Sequence, residues 1–136
     1  RTIPWFLKML KKKDYEMRFY ALTSLAKYNN RDAFEGLKEG LATTEADCSS
    51  SDNIVNAAAQ SLAASSYPEA LPFLLTQYQH SNAQVRLTVT HALGHKVPKQ
   101  EAIPMLEKMA QDTYPVVSGE AKRYLKELQG NEVPAK

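Results

Sequence analysis

Residues 71–95 read LPFLLTQYQHSNAQVRLTVTHALGH. Leu71, Leu74 and Tyr78 recur at i, i+3 and i+7, and Val85, Val89 and Leu93 recur at i, i+4 and i+8. Each triad lies on one face of a helix. Asn82, three residues before Val85, is placed to cap the second helix with its side-chain oxygen. The stretch reads as a helical hairpin.

The same hairpin returns along the chain, which makes an internal repeat the organising feature. First-helix segments IPWFLKML, FEGLKEGL and IPMLEKMA start at Ile3, Phe34 and Ile103, with apolar triads Ile3/Phe6/Leu10, Phe34/Leu37/Leu41 and Ile103/Leu106/Ala110. Second-helix triads are Met17/Ala21/Leu25, Ile54/Ala58/Leu62 and Val117/Ala121/Leu125. Their small middle residues let a neighbouring helix come close. The two anchors of a hairpin are 14 residues apart in Ile3–Met17, Leu71–Val85 and Ile103–Val117, but 20 apart in Phe34–Ile54. The six extra residues fall in the loop TTEADCSSSD, Thr43–Asp52, which contains no large apolar side chain. It is expected to be exposed and mobile, because it cannot bury enough surface to offset its ordering entropy.

Boundary residues agree with this division. Asp14 and Ser51, like Asn82, stand three positions before a second-helix anchor, and Pro115 suits a first helical turn. Pro72 is expected beyond the first turn of its helix, where it would remove a backbone hydrogen bond. The reading is an all-α solenoid of about four hairpins, eight helices in all, with repeats at about 1–29, 30–66, 67–97 and 98–129 and a polar tail at 130–136.

Composition excludes several functions. The chain has 136 residues, 43% hydrophobic and 24% charged, with a formal net charge of +2. That is one domain's worth of chain, and the charge balance argues against a dedicated nucleic-acid binder, whose affinity rests on concentrated phosphate neutralisation. A single cysteine excludes an internal disulfide framework and a Cys-rich zinc site. None of the five glycines builds a phosphate-cradling motif. No apolar stretch is long enough for a membrane span.

Four helical hairpins with proline in the first helix and V-R-x-x-[AV]-x-x-x-L in the second resemble HEAT repeats. The third unit, PEALPFLLTQYQHSNAQVRLTVTHALGH, is most similar to the short HEAT-like repeat also found in phycobilisome lyase subunits. The resemblance spans about residues 1–129 and implies a fold in which second helices line a concave inner face. The family's arginine slot holds Arg18 and Arg86, but Val55 and Ser118 in the other two repeats. A continuous arginine ladder is therefore not expected.

If the second helices face inward, rotation from their core triads names the outward positions. These are Phe19, Asn56, Leu87 and Gly119, then Thr23, Gln60, His91 and Arg123, then Lys27, Ala64, His95 and Glu127. From this mixed stripe, Phe19, Thr23, Lys27, Gln60, Leu87, His91, His95 and Arg123 are the candidate partner-binding residues, for a protein or peptide on the concave face.

No catalytic, cofactor or metal residue is assigned. His91 and His95 have the i, i+4 spacing that can share a metal ion, but no third ligand is evident in sequence, and solvated histidines are the plainer reading. Cys48 has acidic neighbours that disfavour a reactive thiolate, and reads as a loop cysteine. Lys11, Lys12 and Lys13 sit where cations favour a helix C-terminus.

The function expected from this is a non-catalytic interaction or scaffold module. The alternatives are a helical accessory domain of a larger enzyme, a lyase-type subunit or, behind these, a nucleic-acid-binding HEAT-like protein. Because residue 1 is Arg and the first repeat is rich in large apolar residues, the chain reads as a piece of a longer one. Trp5 and Phe6 are then expected to face an upstream domain or a second copy. One unpaired cysteine fits a reducing, cytoplasmic setting.

Overall fold

The structure is a computed structural model that describes residues 1–48 and 50–130. Among these residues there are eight helices and no strand: α1 (Ile3–Met9), α2 (Tyr15–Leu25), α3 (Arg31–Leu41), α4 (Ser51–Ala64), α5 (Ala70–Leu75), α6 (Ala83–His95), α7 (Lys99–Met109) and α8 (Pro115–Gly130). Residues 131–136 of the predicted tail lie outside the described residues. The chain forms two compact units, Arg1–Thr76 and Gln77–Lys136.

In the first unit, α2 packs against α1, α3 and α4, and α4 also packs against α3 and α5. Leu22, Leu25, Leu37, Ile54, Leu62 and Leu74 are its fully buried large side chains. Burying each contributes about 1.5–3 kcal/mol relative to leaving it exposed. In the second unit α6, α7 and α8 pack against one another around Val85, Val89, Leu93, Leu106 and Val117.

Helix starts follow their caps. The Asp14 side chain accepts the Met17 N–H at 3.2 Å, Asn82 accepts the Gln84 N–H at 2.8 Å, and Asn30 accepts from both Asp32 and Ala33 at the head of α3. Ser51 does not cap. It is the first residue of α4, and its hydroxyl donates to Glu45 Oε1 at 2.8 Å.

The first helix of the third hairpin is shorter than its apolar spacing predicts. α5 ends at Leu75, where the Thr76 N–H turns back to the Phe73 and Leu74 carbonyls in a tightened last turn, so Tyr78 falls outside the helix. Pro72 then sits within the first turn, where its missing N–H has no helical acceptor to lose. Pro104 is the proline inside a helix, α7.

The loop between α3 and α4 departs from expectation. Thr44 donates from its backbone N–H and hydroxyl to Asp47 Oδ2 at 3.0 and 3.1 Å, closing a turn. Cys48 is then carried inward to 3% exposure. The thiol is a core residue, because a free cysteine behaves as a small hydrophobe when the backbone turns it inside. Deleting six residues from this loop is accordingly expected to lower stability by about 2 kcal/mol or more, a core-lesion cost. Urea denaturation of the deletion variant would measure this, and an unchanged midpoint would mean that Cys48 contributes nothing.

Phe6 also departs from its expected place. It is 4% exposed, packed by Trp5, Tyr20 and Tyr28 at centroid distances of 5.4, 5.8 and 6.2 Å. The first hairpin folds its own aromatics over itself, with the Arg1 guanidinium 4.3 Å from the centre of the half-buried Trp5 ring. Phe6 therefore belongs to the core and is not a contact residue, leaving Phe19 and Tyr20 as the large apolar side chains exposed on α2.

Candidate functional site

α2 and α4 run side by side in the first unit, and an open groove of about 470 Å³ lies along their shared outer surface. Tyr15 and Phe19 form its aromatic wall, while Asn53, Asn56 and Gln60 line it from α4. Small residues, including Ala26, Ala57, Ser61 and Ala64, keep it open. No charged side chain is among the lining residues. The volume falls in the range of small-ligand and peptide sites, and the lining combines apolar faces with neutral hydrogen-bonding groups.

Three of the residues chosen from sequence meet here. Phe19, 41% exposed, sets the wall; Thr23 and Gln60 are exposed within the groove. The Thr23 hydroxyl donates back to the Phe19 and Tyr20 carbonyls at 3.1 Å, so its oxygen lone pairs and methyl are what it offers a ligand. Gln60 Nε2 donates weakly to Asn56 Oδ1 at 3.4 Å, which leaves most of both carboxamides' capacity open. Lys27 is exposed just beyond the α2 cap and outside the groove lining. Tyr15 and Asn53 were not singled out from sequence. They lie just before Met17 and Ile54, the positions from which the rotation is counted, and counting forward passes over them.

The other candidates belong to the second unit. Leu87 and His91 are half-buried on α6, and His95 is exposed at its end. Arg123 is not a free cation. Its guanidinium donates to both Glu120 carboxylate oxygens at 3.1 and 2.9 Å and to Glu127 at 2.7 Å. These carboxylates raise the Arg123 pKa, and Arg123 in turn holds Glu120 below the usual carboxylate range.

Position 124, not 125, points into the core. Tyr124 is 2% exposed and Leu125 half-buried. Its ring lies over Gly94, where an added Cβ would collide with ring carbons. Its hydroxyl meets His91 Nδ1 at 2.7 Å and His95 Nε2 at 3.0 Å. The two histidines are therefore tied across helices and are not simply solvated. Burial pushes the Tyr124 phenol up from its ordinary value.

The arginine slots have a structural use. Arg86 donates Nε to Asp112 Oδ2 at 2.8 Å and Nη2 to Oδ1 at 3.1 Å, and Nη1 reaches the His80 carbonyl six residues back at 2.8 Å. Arg18 likewise bonds the Lys12 carbonyl six residues back, and its charge acts on Asp47. Arg86 thus ties its own hairpin loop to the aspartate in the next hairpin's loop, while Arg18 bonds its own loop and reaches Asp47 only through its charge.

An all-α chain of repeated hairpins, with small residues between second helices and arginines bracing the loops, is a helical-repeat protein. The family model for HEAT repeats matches residues 46–126, more than half of the chain, and the chain belongs to that family. HEAT repeats are generally protein-interaction scaffolds, and the proteins that carry them are typically non-enzymatic. No curated protein matches the chain. Among the described residues no helix is long and apolar enough to cross a membrane.

Proposed function

We propose that the protein is a non-catalytic interaction module that holds a peptide segment of a protein partner in the groove between α2 and α4. The observation that carries this reading is the lining itself. Phe19 and Tyr15 offer aromatic area beside an uncharged row of carboxamides, Asn53, Asn56 and Gln60. A carboxamide donates and accepts at once, which matches the N–H and C=O of a peptide backbone. An uncharged lining supplies no phosphate-neutralising cations, which disfavours nucleic acid as the occupant.

Selection from a displayed peptide library against the full chain tests this. Enriched peptides should share apolar residues and lack a strong charge bias. Phe19→Ala should weaken them by about 2 kcal/mol, the scale of an aromatic hot spot. Gln60→Ala should weaken them less. The reading fails if no consensus emerges, or if selected peptides bind the Phe19→Ala and Gln60→Ala variants as tightly as the parent chain.

A further inference from the structure

We propose that His91, His95 and Tyr124 form a binding site for a divalent late-transition-metal ion held between α6 and α8. The sequence supplies an i, i+4 histidine pair but no third ligand; the fold brings that ligand from the facing helix. Tyr124 Oη lies 2.7 Å from His91 Nδ1 and 3.0 Å from His95 Nε2. Two imidazole nitrogens thus converge on one oxygen.

Those separations also suit coordination. Bonds of about 2.1 Å meeting at about 90° place neighbouring donor atoms about 3 Å apart, the edge length of a tetragonal or octahedral site. The phenol oxygen already stands near that spacing from each imidazole nitrogen. Imidazole nitrogen donors suit Ni²⁺ and Cu²⁺.

The surroundings hold the donors in place. Gly94 lets the Tyr124 ring lie flat against α6, and both imidazoles stand nearly perpendicular to that ring, at 88° and 85°. Glu120 Oε1 is 3.9 Å from His91 Nδ1, but both its oxygens are held by Arg123, so it is not one of the donors. Among the described residues no group of three or more His, Cys, Asp or Glu side chains forms a metal cluster, so the phenol is what completes this one.

The phenol has one proton and two imidazole neighbours. The hydroxyl donates to one imidazole and takes an N–H from the other, which places the rings in opposite tautomeric roles. A bound ion would replace that arrangement with two neutral imidazole donors and a phenolate: the N–H of the donating ring shifts to that ring's other nitrogen, and the phenol proton is released to water. It would also link α6 to α8, which a histidine pair on α6 alone would not do.

Titration of the full chain with Ni²⁺, followed by calorimetry and by thermal unfolding, tests the site. One ion per chain should bind and raise the melting temperature, and Ni²⁺ should broaden the Tyr124 ring signals in NMR spectra. His91→Gln and His95→Gln, both at sites with solvent access, should fold normally. Each should weaken binding by at least roughly tenfold, a loss seen even when a group that merely orients a ligand is removed. Tyr124→Phe should retain only weak binding and lose the thermal shift, while His80→Gln should change nothing. Binding that survives His95→Gln unchanged would overturn the site. So would Tyr124 signals unaffected by the ion, or a thermal shift undiminished in Tyr124→Phe.

Discussion

Replacing Gly40 by valine is expected to destabilise the protein by about 3 kcal/mol, near the top of the range for overpacking a close-packed interior. Gly40 is buried in the last turn of α3, and a Cβ built there would lie 2.8 Å from the Ala58 Cβ of α4 and 2.7 Å from a Leu22 methyl of α2. Leu22 has a flexible end, but Ala58 cannot move without α4 moving. No glycine among the described residues has a positive φ, so this glycine serves closeness and not an unusual backbone conformation. Gly119 is the matched control. It lies within α8, and a Cβ there would meet nothing within 4 Å. Gly119→Ala should therefore stabilise by about 0.5–1 kcal/mol, through helix propensity and reduced unfolded-state entropy. Urea unfolding of both variants checks the pair. Equal effects of the same sign would mean that helix propensity, and not the α3–α4 approach, governs both positions.

The same closeness explains how much of the fold was legible. Ile54/Ala58/Leu62 and Val85/Val89/Leu93 are buried at the 3.6-residue period that marks them, because each second helix is held by neighbours on a fixed face. The period fails where a particular partner overrides it. In α8 the position that enters the core is Tyr124, because Gly94 leaves room for a ring on the facing helix. Nothing local to residues 115–130 could reveal that. Cys48 turned inward for a similar reason: the Thr44–Asp47 turn decides its direction, while loop composition argues only from average hydrophobicity. Phe6 is covered by Tyr20 and Tyr28, contributed by the second helix of its own hairpin and the turn that follows it. For the groove, rotation from the core anchors located Phe19, Thr23 and Gln60. Which of the outward residues share a groove depends on how closely α2 and α4 approach, and that distance is set by packing that sequence alone does not specify.

Arg86→Ala is expected to cost about 3 kcal/mol at neutral pH, the scale of removing one partner from a buried ion pair. Arg86 and Asp112 side chains are only 16% and 9% exposed and meet through two parallel bonds. The third branch of the guanidinium satisfies the His80 carbonyl at 2.8 Å and approaches the Ser81 carbonyl at 3.2 Å. Alanine would leave the Asp112 carboxylate desolvated, with the Tyr114 N–H, 2.8 Å from Oδ1, as its remaining donor. Arg86→Lys should fall between, since an ammonium keeps the charge but cannot make the paired bonds. The pH dependence carries a definite sign. The Arg86 guanidinium holds the Asp112 carboxyl below its ordinary value of 3.8, against the opposing effect of burial. A carboxylate with a depressed folded-state pKa contributes stability that is fully present above the unfolded value. That contribution is lost as pH falls through the folded one. The difference between the parent chain and Arg86→Ala should therefore hold from pH 7 down to about pH 5. It should shrink as pH drops below the ordinary value of 3.8, as first the unfolded chain and then the folded Asp112 take up a proton and the pair is lost in the parent chain. What persists in acid is the carbonyl bonding of Arg86, about 1.5–3 kcal/mol for hydrogen bonds to a charged donor. A double-mutant cycle with Asp112→Asn, run at pH 7 and pH 3, separates the two parts. A coupling energy that stayed the same at both pH values would show that the Arg86–Asp112 pair braces the loops by shape alone, with no contribution from charge.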